Sequence, residues 1–346
     1  MVIMVHYEQS FHLCKWFHYL QMGCPIFFAA SGFGICGLIN KKFGGSLDSQ
    51  SIKQFYFSRY KALAPAWYLA FLVFFTVNTL LLYTYGKTLQ FGNNRDLLSI
   101  VCNIFFLNGL LPFCNNNVIP GGWYIGATVI LYALTPMILA AIRKFKNRKL
   151  FFAVSSCAGM LVWTILFRIF KNDFSKDGFS YFIFLVHYPN YLLGIMLYLD
   201  LSESMLTTEQ IKRCLPLGLM AYAVAVVLFY SPIPYGNMFS AWMTALATYL
   251  VLYYLLSNEK NYKPSLITKV LSAFGRNSYC IYLLHVFCVW TFVPLLGDVL
   301  GRIDINFYTI PWFIIMIPVV LALSYLTGYL FRIIVRNVTK LLFKNG

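Results

Sequence analysis

Charged side chains are scarce in this sequence: Asp, Glu, Lys and Arg make up 11% of 346 residues, and only 11 positions are acidic. A chain that is 60% hydrophobic cannot solvate a single soluble core with so little charge, which excludes an ordinary globular protein. Paired cysteines are missing too. The nine cysteines form no C-x-x-C and have no histidine at zinc-finger spacing, so neither a metal site nor a disulfide framework is expected. Most read as packed apolar thiols; Cys102 and Cys114 flank a segment placed near the outer face and can pair there. The opening MVIMV lacks the basic start and small-residue cleavage site of a signal peptide. Neither a linker, a soluble domain nor an internal repeat is visible, which leaves one domain over 1–346.

What the sequence does have is long apolar runs from end to end. Leu63 to Leu82, Leu215 to Tyr230 and Tyr308 to Phe331 are each near the ~20 residues a helix needs to cross a bilayer. The expected fold is an all-α, polytopic membrane helical bundle of about ten transmembrane helices embedded in membrane lipids. The formal charge of +16 raises the question of nucleic acid, but Lys and Arg sit in short loops and build no basic face with stacking aromatics. A nucleic-acid partner is therefore not expected.

The positive-inside rule turns those loops into a topology. Nineteen basic residues fall in Asn40 to Lys61, Arg143 to Lys149, Leu201 to Cys214, Ser257 to Lys269 and the tail after Phe331. Six fall in the alternate segments: Lys15, Lys87, Arg95, Lys171, Lys176 and Arg302. Both termini then face the cytoplasm. The spans are roughly 1–9, 19–39, 62–85, 122–142, 151–170, 181–199, 215–231, 238–257, 270–292 and 308–334. Leu98 to Phe113 is apolar as well, but letting it cross would put RKFKNRK outside, so it is expected to be re-entrant or to lie in the outer interface. The first span, MVIMVHYEQ, reaches less than half of ~20 residues. Either that helix is partial or the start lies inside a longer reading frame, and the second is the expectation.

The run FFAASGFGICG holds Gly32, Gly34 and Gly37 in the G-x-G-x-x-G spacing of a dinucleotide loop. Such a loop needs a strand before it and an acidic residue about 20 positions on to hold a ribose. Here the run lies within a membrane span, and the nearest following acid, Asp48, stands in a basic loop only eleven residues after Gly37. Small residues such as Ala30 and Gly34 are better read as a face that lets another helix approach, with Ser31 hydrogen-bonding across the contact.

The same run carries a resemblance. Phe27-Phe28-Ala29-Ala30-Ser31-Gly32-Phe33 resembles the FF-x-x-SGF signature of acyltransferase family 3, the integral-membrane O-acyltransferases, and follows a first-span His as it does in that family. Phe57 to Pro65 (FSRYKALAP) resembles its basic segment closing on Pro. Trp123-Tyr124-Ile125 with Tyr132 and Pro136 resembles its W-x-L…Y-x-x-x-P span, and Gly275 to His285 (GRNSYCIYLLH) its late G-x-x-S-Y-x-x-Y-L-x-H. The four segments occur in order across nearly the whole chain. Three departures stand out. Many members carry an Arg ten residues before the first-span His, upstream of Met1 here; an acid five positions after the Trp, where Thr128 stands; and a second Arg where Ala62 stands. One branch of the family lacks that acid.

The resemblance implies a multi-pass enzyme of a bacterial cytoplasmic membrane. It would carry an acyl group, acetyl foremost, from cytoplasmic acyl-CoA to a hydroxyl of a surface polysaccharide or lipid-linked glycan, with no tightly bound cofactor. Such transfer needs a base for the hydroxyl proton and a way to stabilise the oxyanion. His6 is the candidate base, because an ionisable group in a membrane span is costly unless it has a function. Arg59 and Lys61 are the candidate donor-phosphate ligands, since a guanidinium offers two hydrogen bonds at once. Ser31, Trp123, Tyr282 and His285 are candidates for the acceptor site or its wall, with His285 open to either substrate contact or packing. A serine acyl-enzyme through Ser31 has no base beside it in the sequence, so direct transfer assisted by His6 is preferred. Glu8, two residues from His6 and on another helix face, reads as a solvated boundary residue; His187 reads as a satisfied interior His, and His12 and His18 as exposed loop residues. The rival readings are a transporter or flippase for a lipid-linked saccharide, and an inactive relative truncated at its start.

Overall fold

Backbone groups in hydrocarbon have no water to bond, so each apolar run must satisfy its own N–H and C=O groups as a helix. The computed structural model describes residues 1–85, 97–111, 114, 116, 118–170, 181–259 and 265–343, and all regular structure among them is helical. Eleven α-helices follow in order: α1 (Val2–Phe11), α2 (Gly23–Phe43), α3 (Ser49–Tyr85), α4 (Leu97–Ile104), α5 (Gly122–Lys144), α6 (Arg148–Phe170), α7 (Phe184–Ser202), α8 (Thr208–Tyr230), α9 (Gly236–Ser257), α10 (Leu266–Gly301) and α11 (Ile310–Leu342). Each of the ten expected spans corresponds to one of them. Eight (α2, α3, α5, α6 and α8 to α11) are long and apolar enough to cross a membrane. The other two expected spans are special. α1 has 10 residues, about 15 Å at 1.5 Å per residue. α7 is long enough but carries His187 and Asn190 inside, where α2, α5, α6 and α9 enclose it.

The segment expected not to cross is α4, whose eight residues rise only about 12 Å, followed by a 3-10 turn at Leu107–Gly109. It folds back tightly against α5: a Cβ on Gly109 would lie 2.0 Å from the Ala127 nitrogen, and one on Gly126 would lie 2.4 Å from the Gly109 nitrogen. Trp67 Nε1 and Tyr68 OH of α3 donate to the carbonyls of Asn103 (2.7 Å) and Ile104 (2.9 Å), the last of α4, which have no partner further along the helix. Cys102 and Cys114 are disulfide-bonded across this fold, with their Cα atoms 6.3 Å apart.

Contacts at the two ends of the bundle gather the loops into opposite sets. At the basic end, the Arg143 guanidinium donates to the carbonyl of Gly45, and Arg148 grips both oxygens of Glu203 at 2.6 and 2.8 Å. At the other end, Tyr230 OH donates to the Trp16 carbonyl at 2.7 Å, and Tyr181 OH to that of Gln21. Lys87, Arg95, Lys171, Lys176, Lys260, Lys263 and Lys344 lie outside the described residues.

The glycine run is wholly inside α2, so no phosphate loop exists there. Close helix approach does occur, but on a different face from the one expected. A Cβ on Gly32 would lie 2.1 Å from the Tyr191 carbonyl oxygen of α7, and one on Gly194 of α7 would lie 1.9 Å from the Ala29 carbonyl oxygen. Gly34 has no neighbour within 4 Å of such a Cβ. Residues two apart on a helix point in widely different directions, so Ala29 and Gly32 serve the contact while Ala30 and Gly34 face open space.

Candidate active site

The open space beside Gly34 is a cavity of about 530 Å³ between α2, α3, α5 and α10. Helical periodicity builds its walls. Phe27, Ala30, Ser31 and Gly34 face it from α2; Tyr124, Thr128 and Tyr132, one turn apart, from α5; Gly275, Ser278 and Tyr282 from α10; Arg59 and Leu63 from α3. Segments up to about 250 positions apart in the chain thus line one volume. Its upper wall is tied together: Tyr282 OH donates to the Gly121 carbonyl at 2.8 Å, the Tyr124 and Tyr282 rings lie 5.0 Å apart, and Ser31 Oγ meets Tyr124 OH at 3.5 Å. Ser31 therefore hydrogen-bonds across a helix interface, as expected, but to α5. Thr128 donates to the Tyr124 carbonyl at 2.8 Å. Lower down, Tyr279 OH donates to the Leu63 carbonyl at 2.9 Å and locks α10 to α3.

The two histidines stand just beyond this wall. Tyr282 and His285 have ring centroids 5.6 Å apart, and His285 and His6 5.2 Å apart. His285 lines a second, apolar cavity of about 530 Å³ that shares Phe27, Gly275, Ser278 and Tyr282 with the first. His285 Nδ1 lies 2.7 Å from the Tyr282 carbonyl, while its Nε2 is buried without a hydrogen-bond partner among the described residues. His6 Nδ1 lies 2.9 Å from Gln9 Oε1, and the edge of Trp290 closes on its ring at 5.3 Å. From Gly275 to His285 the α10 wall rises ten residues, about 15 Å, so the polar groups span half a bilayer.

Arg59 occupies the basic side of the cavity, half-buried. Its Nε lies 3.4 Å from Ser58 Oγ, and among the described residues no carboxylate comes within ion-pair distance of it. It also lines a lateral slot of about 390 Å³ between α3 and α5, with Tyr56, Tyr60, Leu63, Tyr68 and Tyr132. Lys61 does not join it: two residues on, it turns away and sets its ammonium 5.1 Å from the Phe343 ring. Trp123 does not line either cavity. It is 5% exposed, packed on Phe28, Tyr181, Phe182 and His187, and so backs the wall.

Glu8 corrects the expectation of a solvated residue. It is 1% exposed, with Oε2 2.6 Å from His18 Nε2 and Oε1 accepting from the Cys14 N–H at 3.0 Å. The loop after α1 folds back over the carboxylate and supplies the partners that sequence neighbours do not. His187 is the satisfied interior His expected, bonded to the Tyr181 carbonyl at 2.8 Å and to Asn190 at 3.2 Å. Among the described residues no three His, Cys, Asp or Glu side chains gather as a metal ion would require.

The family model for an acyltransferase domain, acyltransferase family 3, matches residues 1–329. The chain belongs to this family. Neither the curated proteins nor the solved structures compared give a match. This acyltransferase keeps the family's motif segments around one cavity, and its departures can now be located. Thr128 lies in the cavity wall itself, so an acid is missing from inside the site. Ala62 is exposed on the outside of α3, away from both cavities. Ser278, which the late motif includes without a role, and Gly121, which no motif includes, complete the site. Ser278 is three residues after Gly275 and four before Tyr282, a spacing that puts all three on one face; Gly121 gives no local signal, because its role is a carbonyl met by Tyr282 from 161 residues away.

Proposed function

We propose that this membrane acyltransferase moves an acyl group, acetyl foremost, from acyl-CoA arriving at the basic end to a sugar hydroxyl of a surface polysaccharide or lipid-linked glycan. The convergence of four distant segments on one cavity with a cation at one side and two histidines beyond the other carries this reading. Among the described residues Arg59 has no carboxylate within ion-pair distance, and it suits a donor phosphate, which its planar fork takes with two charge-assisted bonds. The thioester then reaches the wall formed by Phe27, Ser278 and Tyr282, past which the acceptor hydroxyl meets His6. As the hydroxyl oxygen attacks, its proton passes to His6 Nε2; the C–S bond breaks and the thiolate takes that proton. Among the described residues no base lies beside Ser31, whose Oγ faces the Tyr124 phenol, so direct transfer is preferred to an acyl-serine.

The basic end is assigned to the cytoplasm of a bacterial inner membrane, with both termini there. The loop charges support this. So does the Cys102–Cys114 disulfide near the other end, since such bonds persist in oxidising compartments.

The decisive experiment supplies acetyl-labelled CoA to membrane vesicles holding the protein and follows label into saccharide. Label covalently bound to saccharide, with free CoA released in step, is expected. Movement of unmodified saccharide across the vesicle wall without CoA release would replace the reading with transport.

A further inference from the structure

The histidine pair has more recognition chemistry than a single base requires. A carbonyl oxygen can only accept, so His285 Nδ1 carries its proton toward Tyr282 O at 2.7 Å; Gln9 Oε1 likewise accepts from His6 Nδ1 at 2.9 Å. Each ring is thereby held in the tautomer that leaves Nε2 a bare lone pair. At His285 that atom is buried in a residue only 1% exposed and has no partner among the described residues, a costly arrangement unless a ligand supplies a donor. The neighbouring Tyr282 hydroxyl does not serve, because its proton is committed to Gly121 O at 2.8 Å. The two rings lie side by side, centroids 5.2 Å apart and tilted by 46°.

Two acceptors of the same kind on neighbouring rings 5.2 Å apart call for two donors. One hydroxyl has one proton and satisfies one Nε2; hydroxyls on adjacent carbons satisfy both. We infer that His6 and His285 together recognise a vicinal diol. One hydroxyl is held on His285 Nε2, and its neighbour donates to His6 Nε2 and is the one acylated. This rests on the proposed transfer to a hydroxyl and narrows the acceptor to saccharides with a free hydroxyl adjacent to the reacting one. In the reaction the attacking oxygen forms the new C–O bond, the thioester C–S bond breaks, and the proton travels through His6 to the thiolate. His285 keeps the neighbouring hydroxyl's proton in a hydrogen bond throughout and changes no charge. Its role is to fix which hydroxyl faces His6.

The test uses the full chain in lipid nanodiscs with acetyl-CoA, and two small acceptors: cis-1,2-cyclohexanediol and cyclohexanol. For the wild type, kcat/KM for the diol is expected to exceed that for cyclohexanol by roughly tenfold to a hundredfold, the effect of leaving one buried acceptor unpaired. In His285→Leu the ratio between the two acceptors should fall to about one. In His285→Gln, which retains an amide oxygen as acceptor, part of the preference should survive. A ratio is read in each case, so reduced yield or partial activity of a variant does not obscure it. Equal kcat/KM on the two acceptors in the wild type, or a diol preference undiminished in His285→Leu, overturns the inference and leaves acyl transfer intact. No acetyl transfer to either alcohol or to saccharide in membrane vesicles, with no CoA released, overturns the transfer reading on which it rests.

Discussion

Replacing Gly194 by Ala sets a methyl carbon 1.9 Å from the backbone oxygen of Ala29, where ordinary contact begins near 3.4 Å. The obstacle is backbone on both sides, so no rotamer change relieves it, and α2 and α7 must separate by about 1.5 Å. Overpacking of this kind costs about 1–3 kcal/mol, and the upper part applies because the Gly32 contact with Tyr191 O gives way along with it. Alanine returns about 1 kcal/mol of helix propensity. The net loss expected is about 2 kcal/mol, a factor of roughly 30 in the folded ratio. Gly34→Ala is the matched control, since a Cβ there meets nothing within 4 Å and keeps the propensity gain. Thermal unfolding of detergent-solubilised protein, followed by loss of the folded species on size exclusion, should show Gly194→Ala melting below wild type and Gly34→Ala at or above it. Because the shift moves α2, and Phe27 and Ser31 with it, acyl transfer should fall in Gly194→Ala below its melting temperature. Equal melting of the two variants would refute the close-approach account of the α2–α7 contact.

Three further outcomes are expected. His6→Ala should lower turnover by about 10² to 10⁴ with donor binding retained, the usual contribution of a general base; His6→Gln should be nearly as slow, and near-normal transfer by it would make His6 an orienting group. Arg59→Ala should raise the acyl-CoA concentration for half-maximal rate, with Arg59→Lys restoring it only in part because the two-pronged geometry is lost; unchanged donor dependence in both would return Arg59 to charge placement alone. A cysteine placed within Arg143–Lys149 should react with a label confined to the cytoplasm and one at Arg302 only with label from outside, while peptide mapping without reductant should recover Cys102 joined to Cys114. The reverse labelling pattern would invert the proposed orientation.

Much of this architecture is legible in the sequence because lipid leaves the backbone few choices. Apolar length alone marks the long helices, and the placement of RKFKNRK marks Leu97–Ile104 as a segment that does not cross. The cavity is legible only through resemblance: four motif segments say which residues matter, and helical periodicity then says that Gly275, Ser278 and Tyr282 share a face. What escapes is every feature fixed by a partner distant in the chain. Spacing shows that α2 is rich in small residues but not that α7 meets Gly32 and leaves Gly34 free. Glu8 looks like a boundary residue until the loop brings His18 onto it. Lys61 matches the motif, yet its α3 face points toward Phe343 and not toward Arg59. Trp123 matches the motif, yet the Tyr181–His187 segment covers it and it lines neither cavity.

The enclosure of α7 has a consequence for how the protein is made. A helix holding His187 and Asn190 gains little from entering lipid by itself. Its gain lies in the glycine-tight seat on α2 and in the shelter of α5 and α6. All three are synthesised before it, so most of its seat already stands in the bilayer when residue 184 leaves the ribosome, and α9 closes the last side afterwards. α7 is thus recruited by its predecessors as a late-arriving keystone, and chain order itself serves as an assembly instruction: a permuted gene that delivered α7 ahead of α2 would present the insertion machinery with a segment it has little reason to release into lipid.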